Sequence, residues 1–575
     1  MLANRIGIGL ARILAAFTMF LVLLGLVVLA TFAIWYYGSG QSGSFWEYLG
    51  LAWLPFSIVF GIFAFVTAWL TRGVLEKKLK NHDKSTHEEH MQQDRSLEEI
   101  TDLLTGIADR VSETGAPLNG QLTTAIDALS AQPETSDIPA MLDSQTRGKV
   151  SLAIHKRIDD HSRVLRIYSF EEYPALYALA QRELGKAYSA LLQIDARGAN
   201  GDEAIEAFAE ALRVYTILDY SLDYAATQNR LGIVYEILAT IRDREKNCEL
   251  AKSAFSEALR VRTFEDHPLE YAATQNGLGI AYGTLAAVRN REKNCELAVS
   301  AFSEALRVRT LKNSPSGYAA TQNNIGIVYG TLAAVRDREK NCEMAIRAFR
   351  EALRFYTDQM RYAMVQDNLG NAYRRLGEVK DRERNCELAI EAHREALRLS
   401  TLENHPVDYA GVNNNLGNAY AALAIAKDMD KNCELAISAY SEALRVRTFE
   451  DYPLDFAATQ NNLGNAYATL AEVKDKEKNC ELAISAYLEA LRVRTFEDYP
   501  WDYVTAQNNL GNAYATLAEV KDREKNCELA IRACLEALRV YNVQDYPDMH
   551  RTAEHSLTRS RALCSKGKSG MQAKA

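Results

Sequence analysis

Seven of the chain's nine cysteines occupy one recurring position, which makes them the first candidates for chemistry. A thiolate at a helix N-terminus is stabilised, and such thiolates serve redox and metal chemistry. No C-x-x-C pair and no matched histidine accompanies these cysteines. The favoured interpretation is therefore a small apolar residue that fills a joint between repeats. The seven residues are Cys248, Cys295, Cys342, Cys386, Cys433, Cys480 and Cys527.

Other patterns for catalysis are weak. In His87-Glu88-Glu89-His90 the histidines are three residues apart rather than the four of a zinc-binding HExxH helix, so a solvated charged stretch is the better interpretation. The sequence contains no phosphate loop, no nucleophile motif and no Ser/His/Asp arrangement in a domain of its own. We therefore expect no enzymatic activity, no cofactor and no metal site.

The elements that carry the cysteines form a long internal repeat. Its register is set by eight glycines, 47 residues apart except for one interval of 44 between Gly326 and Gly370. A fixed period of this size is typical of a solenoid, in which each unit buries its apolar face against its neighbours. The glycines are Gly185, Gly232, Gly279, Gly326, Gly370, Gly417, Gly464 and Gly511.

Each unit reads as two antiparallel helices. In the unit around Gly464, apolar residues at helical spacing run from Leu463 to Leu470 and again from Leu482 to Leu491. Asn479 is the expected N-cap of the second helix. Pro500 is expected to end the link that follows the second helix, because a proline cannot continue a helix from the residues before it.

These residues resemble the tetratricopeptide repeat (TPR) family. The resemblance implies an all-α fold, a right-handed superhelix of helix hairpins with about eight repeats and half-repeat caps at 150–560. The unit is longer than usual, and the extra residues fall in the turn 474–478 and the link 495–500. A disordered basic tail is expected at 561–575. The matching positions are Leu463, Gly464, Tyr467, Ala483, Tyr487 and Ala490.

The resemblance also implies a binding surface. In the family, first helices line a concave groove, and the positions three before and one after the glycine face a bound peptide. An asparagine amide offers both donor and acceptor, so a ladder of them can bind an extended backbone. Alternatively, the asparagines bond to neighbouring helices and hold the superhelical pitch. The candidate residues are Arg182, Lys186, Asn229, Asn276, Asn323, Asp367, Asn371, Asn414, Asn418, Asn461, Asn465, Asn508 and Asn512.

Basic residues give two further hypotheses. Arg182 and Lys186 resemble part of the clamp with which some TPR domains hold a C-terminal carboxylate, although a solvated basic face is favoured because later repeats add no cation there. An arginine also recurs at the end of the second helices, as at Arg492. Compensation of the helix dipole and local pairing with Glu497 and Asp498 explain it more simply than an acidic partner.

The position after the glycine changes along the array. It is isoleucine in repeats two to four, at Ile233, Ile280 and Ile327, and asparagine in repeats five to eight. The change coincides with the 44-residue interval. We therefore expect two half-grooves of different character, joined where the geometry between repeats changes.

Two uncharged segments precede the array, at 13–35 and 49–70. Each is long enough to span a bilayer, and the basic residues outside them place both ends in the cytoplasm. We expect a multi-pass membrane anchor in 1–80, a helical and flexible linker in 81–149 and the repeats in the cytoplasm. The alternative for the first segment is a cleaved signal peptide, but its apolar core is too long.

The location and partners follow from these features. Equivalent cysteines in adjacent repeats would lie about 16 to 20 Å apart, too far for a disulfide, which fits a reducing compartment. The style of the repeats resembles prokaryotic arrays, so a bacterial inner membrane is expected. A net charge of -9 does not indicate a nucleic-acid binder.

We therefore expect a membrane-anchored scaffold that binds protein or peptide partners in its groove. Two alternatives stay open. One is a structural protein that self-associates into a homo-oligomer through an amphipathic helix at 97–111, and the other is a sensor subunit for a separate effector enzyme.

Overall fold

The computed structural model describes residues 144–195, 197–356, 358–539, 550–551 and 553–562. The chain divides into two units, Met1–Ala116 and Pro117–Ala575, and every described residue belongs to the second. The expected membrane segments at 13–35 and 49–70 lie outside the described residues, as does most of the expected linker. Within the described part of the chain, no helix is long and apolar enough to cross a bilayer.

The described residues form α-helices arranged as hairpins. Helix α1 (Ser144–Ile167) comes first and is followed by eight hairpins, which we number repeats 1 to 8. The first helices of these repeats are α2 (Pro174–Ile194), α4 (Ser221–Ile241), α6 (Pro268–Ala286), α8 (Pro315–Leu332), α10 (Gln359–Gly377), α12 (Pro406–Ala424), α14 (Pro453–Leu470) and α16 (Pro500–Leu517). The second helices are α3 (Gly198–Leu212), α5 (Arg244–Leu259), α7 (Arg291–Val308), α9 (Arg338–Leu353), α11 (Arg382–Leu397), α13 (Met429–Leu444), α15 (Lys476–Leu491) and α17 (Arg523–Leu538).

The hairpins stack in sequence order. Each first helix packs most extensively on the second helix of its own repeat, and each second helix packs on the first helix of the next repeat. First helices of consecutive repeats also touch each other, whereas second helices of consecutive repeats do so much less. The first helices therefore line the inner side of the stack. The expected all-α repeat solenoid is confirmed, and its handedness stays a prediction.

The register glycines allow the two helices of a repeat to pack closely. A Cβ added to Gly464 would lie 2.6 Å from the ring of Tyr487 on the second helix, which is too close for any side chain. The same relation joins Gly417 to Tyr440. In repeat 5, directly after the 44-residue interval, His393 takes the place of the phenylalanine or tyrosine ring and lies over Gly370. The glycine thus creates the space that a large second-helix side chain fills.

The expectation that Asn479 caps the second helix is wrong. Helix α15 begins at Lys476, directly after Asp475, whose φ of 41° reverses the chain direction. Asn479 lies in the first turn of α15, and its Nδ2 donates to the carbonyl of Lys474 at 2.7 Å. Because α14 ends at Leu470, this bond satisfies a carbonyl of the turn that joins the two helices. Second-helix asparagines repeat the bond at Asn247, Asn294, Asn341, Asn385, Asn432 and Asn526.

The 44-residue interval marks a real change in the link between repeats 4 and 5. Helix α10 is capped by Asp358, whose side chain accepts from the backbone N–H of Arg361 at 2.8 Å. The six first helices that start at a proline use that residue as a pre-organised first turn instead. Pro500 therefore begins a helix as well as ending a link.

The C-terminal end of the array is also helical. Residues 550–551 and 553–562 are helical, and Ala553 packs against Val504 and Ala537 of repeat 8. The disordered tail expected from 561 lies outside the described residues except for Arg561 and Ala562, which are helical.

Candidate binding grooves of the inner face

The first-helix side of the described solenoid carries a groove at repeats 1 to 3, which we call the basic groove. It encloses about 320 Å³ and brings three of the sequence-predicted residues, Arg182, Lys186 and Asn229, to one place. Two further arginines and one glutamate complete its polar lining, so cations dominate. These added residues are Arg230, Arg262 and Glu270.

Two of these cations are held by acids of the same face. Arg182 pairs with Asp223, and Lys186 Nζ lies 2.7 Å from Glu183 Oε1. Burial opposes ionisation of Glu183, but Lys186 and Arg182 outweigh it and lower the pKa of Glu183 to about 2. Burial also lowers the pKa of Arg230 to about 10. The groove therefore holds positive charge at a desolvation cost, which an anionic ligand would offset.

A second groove, the amide groove, lies across repeats 5 to 7. It encloses about 400 Å³, and among its lining residues are the predicted Asn418 and Asn465. Its floor is built of small and aliphatic side chains from first helices. These are Ala421, Ala422, Ile425 and Ala466.

A third groove contains the predicted Asp367 together with Ser400 and Arg447, and encloses about 320 Å³. The Asp367 carboxylate is already engaged by the protein. Its Oδ1 accepts from His393 Nδ1 at 2.8 Å, and its Oδ2 accepts from Asn415 Nδ2 of the next repeat at 2.9 Å. Asp367 therefore joins the two helices of repeat 5 to each other and to repeat 6.

The asparagines three residues before the glycines connect consecutive repeats through their side-chain oxygens. Asn229 Oδ1 accepts from Thr274 Oγ1 at 2.9 Å, and Asn276 Oδ1 accepts from Thr321 Oγ1 at 3.2 Å. Four of these side chains are buried. The pitch-holding interpretation thus has direct structural support, while peptide contact at these positions stays a prediction. Comparable bonds join Asn323 to Asn368, Asn414 to Thr459 and Asn462, and Asn461 to Asn509.

The last of these asparagines shows that the next repeat supplies the hydrogen-bond donor for the side-chain oxygen. Asn508 occupies the same position in repeat 8, where no complete ninth hairpin follows among the described residues. Its Oδ1 is buried without a hydrogen-bond partner in the described part of the chain. This contrast supports the role of the other asparagine oxygens in joining repeats.

The asparagines one residue after the glycines are more exposed. Tyr440 donates its hydroxyl to Asn418 Oδ1 at 2.8 Å, and Tyr487 donates to Asn465 Oδ1 at 2.7 Å. Asn371 donates to Asp367 Oδ2 at 3.4 Å. Asn512 lies in the repeat whose second helix has Cys534 instead of a tyrosine, so it lacks the hydroxyl that binds Asn418 and Asn465.

The repeat cysteines are buried in the joints. Burial raises the pKa of the Cys248, Cys295, Cys433 and Cys480 thiols to about 11, so these thiols are not activated. Among the described residues, no group of three or more His, Cys, Asp or Glu side chains is placed to hold a metal ion. The thiols are therefore placed for packing.

The recurring second-helix arginines are also structural, but their partners differ from the expectation. Arg492 Nη1 lies 2.5 Å from Glu489 Oε2, and its guanidinium stacks over Phe449 with 4.2 Å to the ring centroid. The predicted pairing with Glu497 and Asp498 is therefore wrong. Glu489 lies one turn earlier on the same helix, where side chains three residues apart are neighbours.

The sequence prediction missed Arg230, Arg262 and the two tyrosine hydroxyls. A signal for the tyrosines was present. Repeats with isoleucine after the glycine have phenylalanine over it, at Phe255, Phe302 and Phe349, whereas the repeats of Asn418 and Asn465 have tyrosine. The two positions change together because the hydroxyl needs a partner and the amide provides one.

No family model and no curated protein matches the chain. Among solved structures, the C-terminal part of a TPR repeat-containing protein from Cytophaga hutchinsonii is 16% identical, with 52% of this chain and 95% of that chain covered and a TM-score of 0.31. Yeast Tom70 is 16% identical, with 78% and 88% covered and a TM-score of 0.34. A signal-transduction ATPase with a tetratricopeptide repeat sensor from Pyrococcus horikoshii is 14% identical, with 72% and 66% covered and a TM-score of 0.32. The helix hairpins and their contacts, rather than these similarities, define the class as an α-helical repeat solenoid.

Proposed function

We propose that the chain is a membrane-tethered TPR scaffold whose solenoid binds segments of partner proteins along its inner face. The amide groove carries this proposal. Asn418 and Asn465 lie in one groove, and their oxygens are satisfied by tyrosines. The bonds that these two side chains make to the protein engage their oxygens, so the NH₂ groups of both amides are the donors for a ligand.

The basic groove adds a second kind of contact. Arg182, Lys186, Arg230 and Arg262 converge there, beside Glu270 of the lining and the acids Asp223 and Glu183 that pair with Arg182 and Lys186. A carboxylate entering this groove would form charge-assisted hydrogen bonds. We therefore assign it to an acidic side chain or a C-terminal carboxylate of the partner.

The expected membrane segments give the scaffold its mechanism. Their uncharged lengths at 13–35 and 49–70 suit a transmembrane hairpin. Holding the solenoid at the cytoplasmic surface of a bacterial inner membrane would raise the local concentration of every captured partner. Recruitment and assembly at the membrane then need no catalytic step.

The proposal is tested by comparing the partners that co-purify with the full chain and with two charge-matched variants from native membranes. The variant N418D/N465D replaces the free donors with acceptors, while the internal oxygen contacts can persist. The control S438D/S485D adds the same charge on exposed positions of second helices. We expect specific partners to be lost only from N418D/N465D, and equal partner lists for all three proteins would contradict the proposal.

A further inference from the structure

We propose that the amide groove binds a proline-rich segment in the polyproline II conformation through the backbone carbonyls of that segment. The inference rests on the proposed function and specifies the ligand of one groove. Three observations on Asn418, Asn465 and the groove floor carry it.

The first observation is the orientation of the two amides. Tyr440 and Tyr487 donate to the oxygens of Asn418 and Asn465. Asn465 Oδ1 also accepts from Asn509 Nδ2 at 3.1 Å. With the oxygens turned toward the protein, the two amides offer N–H donors to a ligand. They need carbonyl acceptors and require no N–H group from the ligand, and proline residues have no backbone N–H.

The second observation is the spacing. Asn418 and Asn465 are equivalent residues of consecutive first helices. These helices touch directly, as the bond from Asn462 to Asn414 shows, unlike the second helices that carry the cysteines, and directly packed helices lie about 8–10 Å apart. A polyproline II segment rises about 3.1 Å per residue with three residues per turn, so its equivalent carbonyls recur about every 9 Å. An extended β-strand repeats each face about every 6.6 Å. Polyproline II therefore matches the ladder of amides, and a β-strand does not.

The third observation is the floor. Ala421, Ala422 and Ala466 leave room above them, and Ile425 is 63% exposed beside them. Pyrrolidine rings are compact and apolar, so they fit a surface of small residues without needing a polar partner. Because a proline-rich segment is already ordered before binding, it loses less conformational entropy than other chains.

The remaining polar residues at the groove are compatible with such a ligand. Arg374 is paired with Glu378 at 3.0 Å, so its charge is compensated without the ligand. Asn462 donates its NH₂ to Asn414 Oδ1 at 3.2 Å, which leaves its oxygen to water or to a ligand side chain. Neither residue requires a charged partner.

The test uses the full chain in detergent with a fluorescent decapeptide of L-proline, and its D-proline mirror image as control, in fluorescence anisotropy titrations. We expect saturable binding of the L-peptide only. N418D/N465D should weaken binding at least tenfold, whereas S438D/S485D should change it less than twofold. Absence of saturable L-peptide binding, equal binding of both enantiomers or insensitivity to N418D/N465D would overturn the inference.

A second variant tests the positioning role of the tyrosines without emptying the core. Y440F/Y487F removes only the hydroxyls, and phenylalanine already fills the equivalent place at Phe255, Phe302 and Phe349. We expect about threefold to tenfold weaker binding of the L-proline peptide, because the amides are then free to turn. Unchanged affinity would show that the tyrosine hydroxyls do not orient the N–H donors of Asn418 and Asn465, and would contradict this part of the inference.

An array of sequence-diverse peptides separates this inference from the proposed function. Peptides that lose binding in N418D/N465D but are neither proline-rich nor displaced by the L-proline peptide would overturn the inference and leave the scaffold function intact. If no peptide on the array is sensitive to N418D/N465D, both fail.

Discussion

The hydroxyl of Tyr487 lies 2.7 Å from Oδ1 of Asn465, across the two helices of repeat 7. The same pair recurs one repeat earlier as Tyr440 and Asn418. In repeat 3 the equivalent residues are Phe302 and Ile280. In repeats 6 and 7 the asparagine after the glycine thus has a tyrosine hydroxyl bonded to it, and the repeats with isoleucine there have a phenylalanine.

This pairing predicts that substitutions at its two positions have non-additive effects on stability. F302Y alone should destabilise repeat 3 by about 1–3 kcal/mol, because the new hydroxyl is buried beside Ile280 without a partner. Adding I280N should restore much of that loss. A double-mutant cycle followed by hydrogen exchange of repeat 3 measures the coupling, and strictly additive effects would contradict the pairing.

Removal of Asn479 should weaken the turn between the helices of repeat 7. N479A leaves the carbonyl of Lys474 without its donor, so a local loss of about 1–3 kcal/mol is expected. Hydrogen exchange at the end of α14 and the start of α15 reports it. K478A, an exposed neighbour, is the matched control, and an equal effect of both substitutions would disprove the bond's role.

The basic groove should respond to acid. The pKa of Glu183 is lowered to about 2 in the folded chain, below its ordinary value, so its contribution to stability is present above about pH 4.5 and is lost as pH falls toward 2. We expect repeat 1 to lose on the order of 2–3 kcal/mol over this range. Hydrogen exchange of α2 against pH measures the loss. E183Q should flatten that dependence, and an unchanged slope would refute the assignment.

The repeat cysteines should resist alkylation while the chain is folded. Burial raises the pKa of Cys480 to about 11, so almost no thiolate is present at pH 8 and the sulfur is shielded from reagents. Iodoacetamide labelling followed by mass spectrometry should modify Cys248, Cys295, Cys433 and Cys480 only after denaturation. Fast labelling of any of them in the native chain would reopen a redox role.

More of the architecture than of the candidate site could be predicted from the sequence. Helical periodicity and the glycine register predicted the hairpins, because each repeat must bury the same face against its neighbours. The start of the second helix was misplaced at Asn479, since an asparagine before an acidic residue resembles a cap whether it bonds forward or backward along the chain. The positive φ of Asp475 and the bond from Asn479 to the carbonyl of Lys474 show that it bonds backward.

The hydrogen bonding of the candidate residues could not be predicted, and their contact with a partner stays a prediction. Sequence alignment located Asn418 and Asn465, and it could not show which amide atom faces the groove. That orientation depends on Tyr440 and Tyr487, which lie 22 residues further along the chain. Arg230 and Arg262 were missed for a similar reason, because their convergence with Arg182 requires the stacking of three repeats.

The most direct test of the binding face is site-specific photo-crosslinking of the full chain in native membranes. Benzoylphenylalanine is placed either at Thr469, which lines the amide groove, or at Ser485, which is exposed on the second helix of the same repeat. The scaffold account predicts discrete partner adducts from position 469 and none from position 485. Adducts of equal yield from both positions, or from position 485 alone, would contradict it.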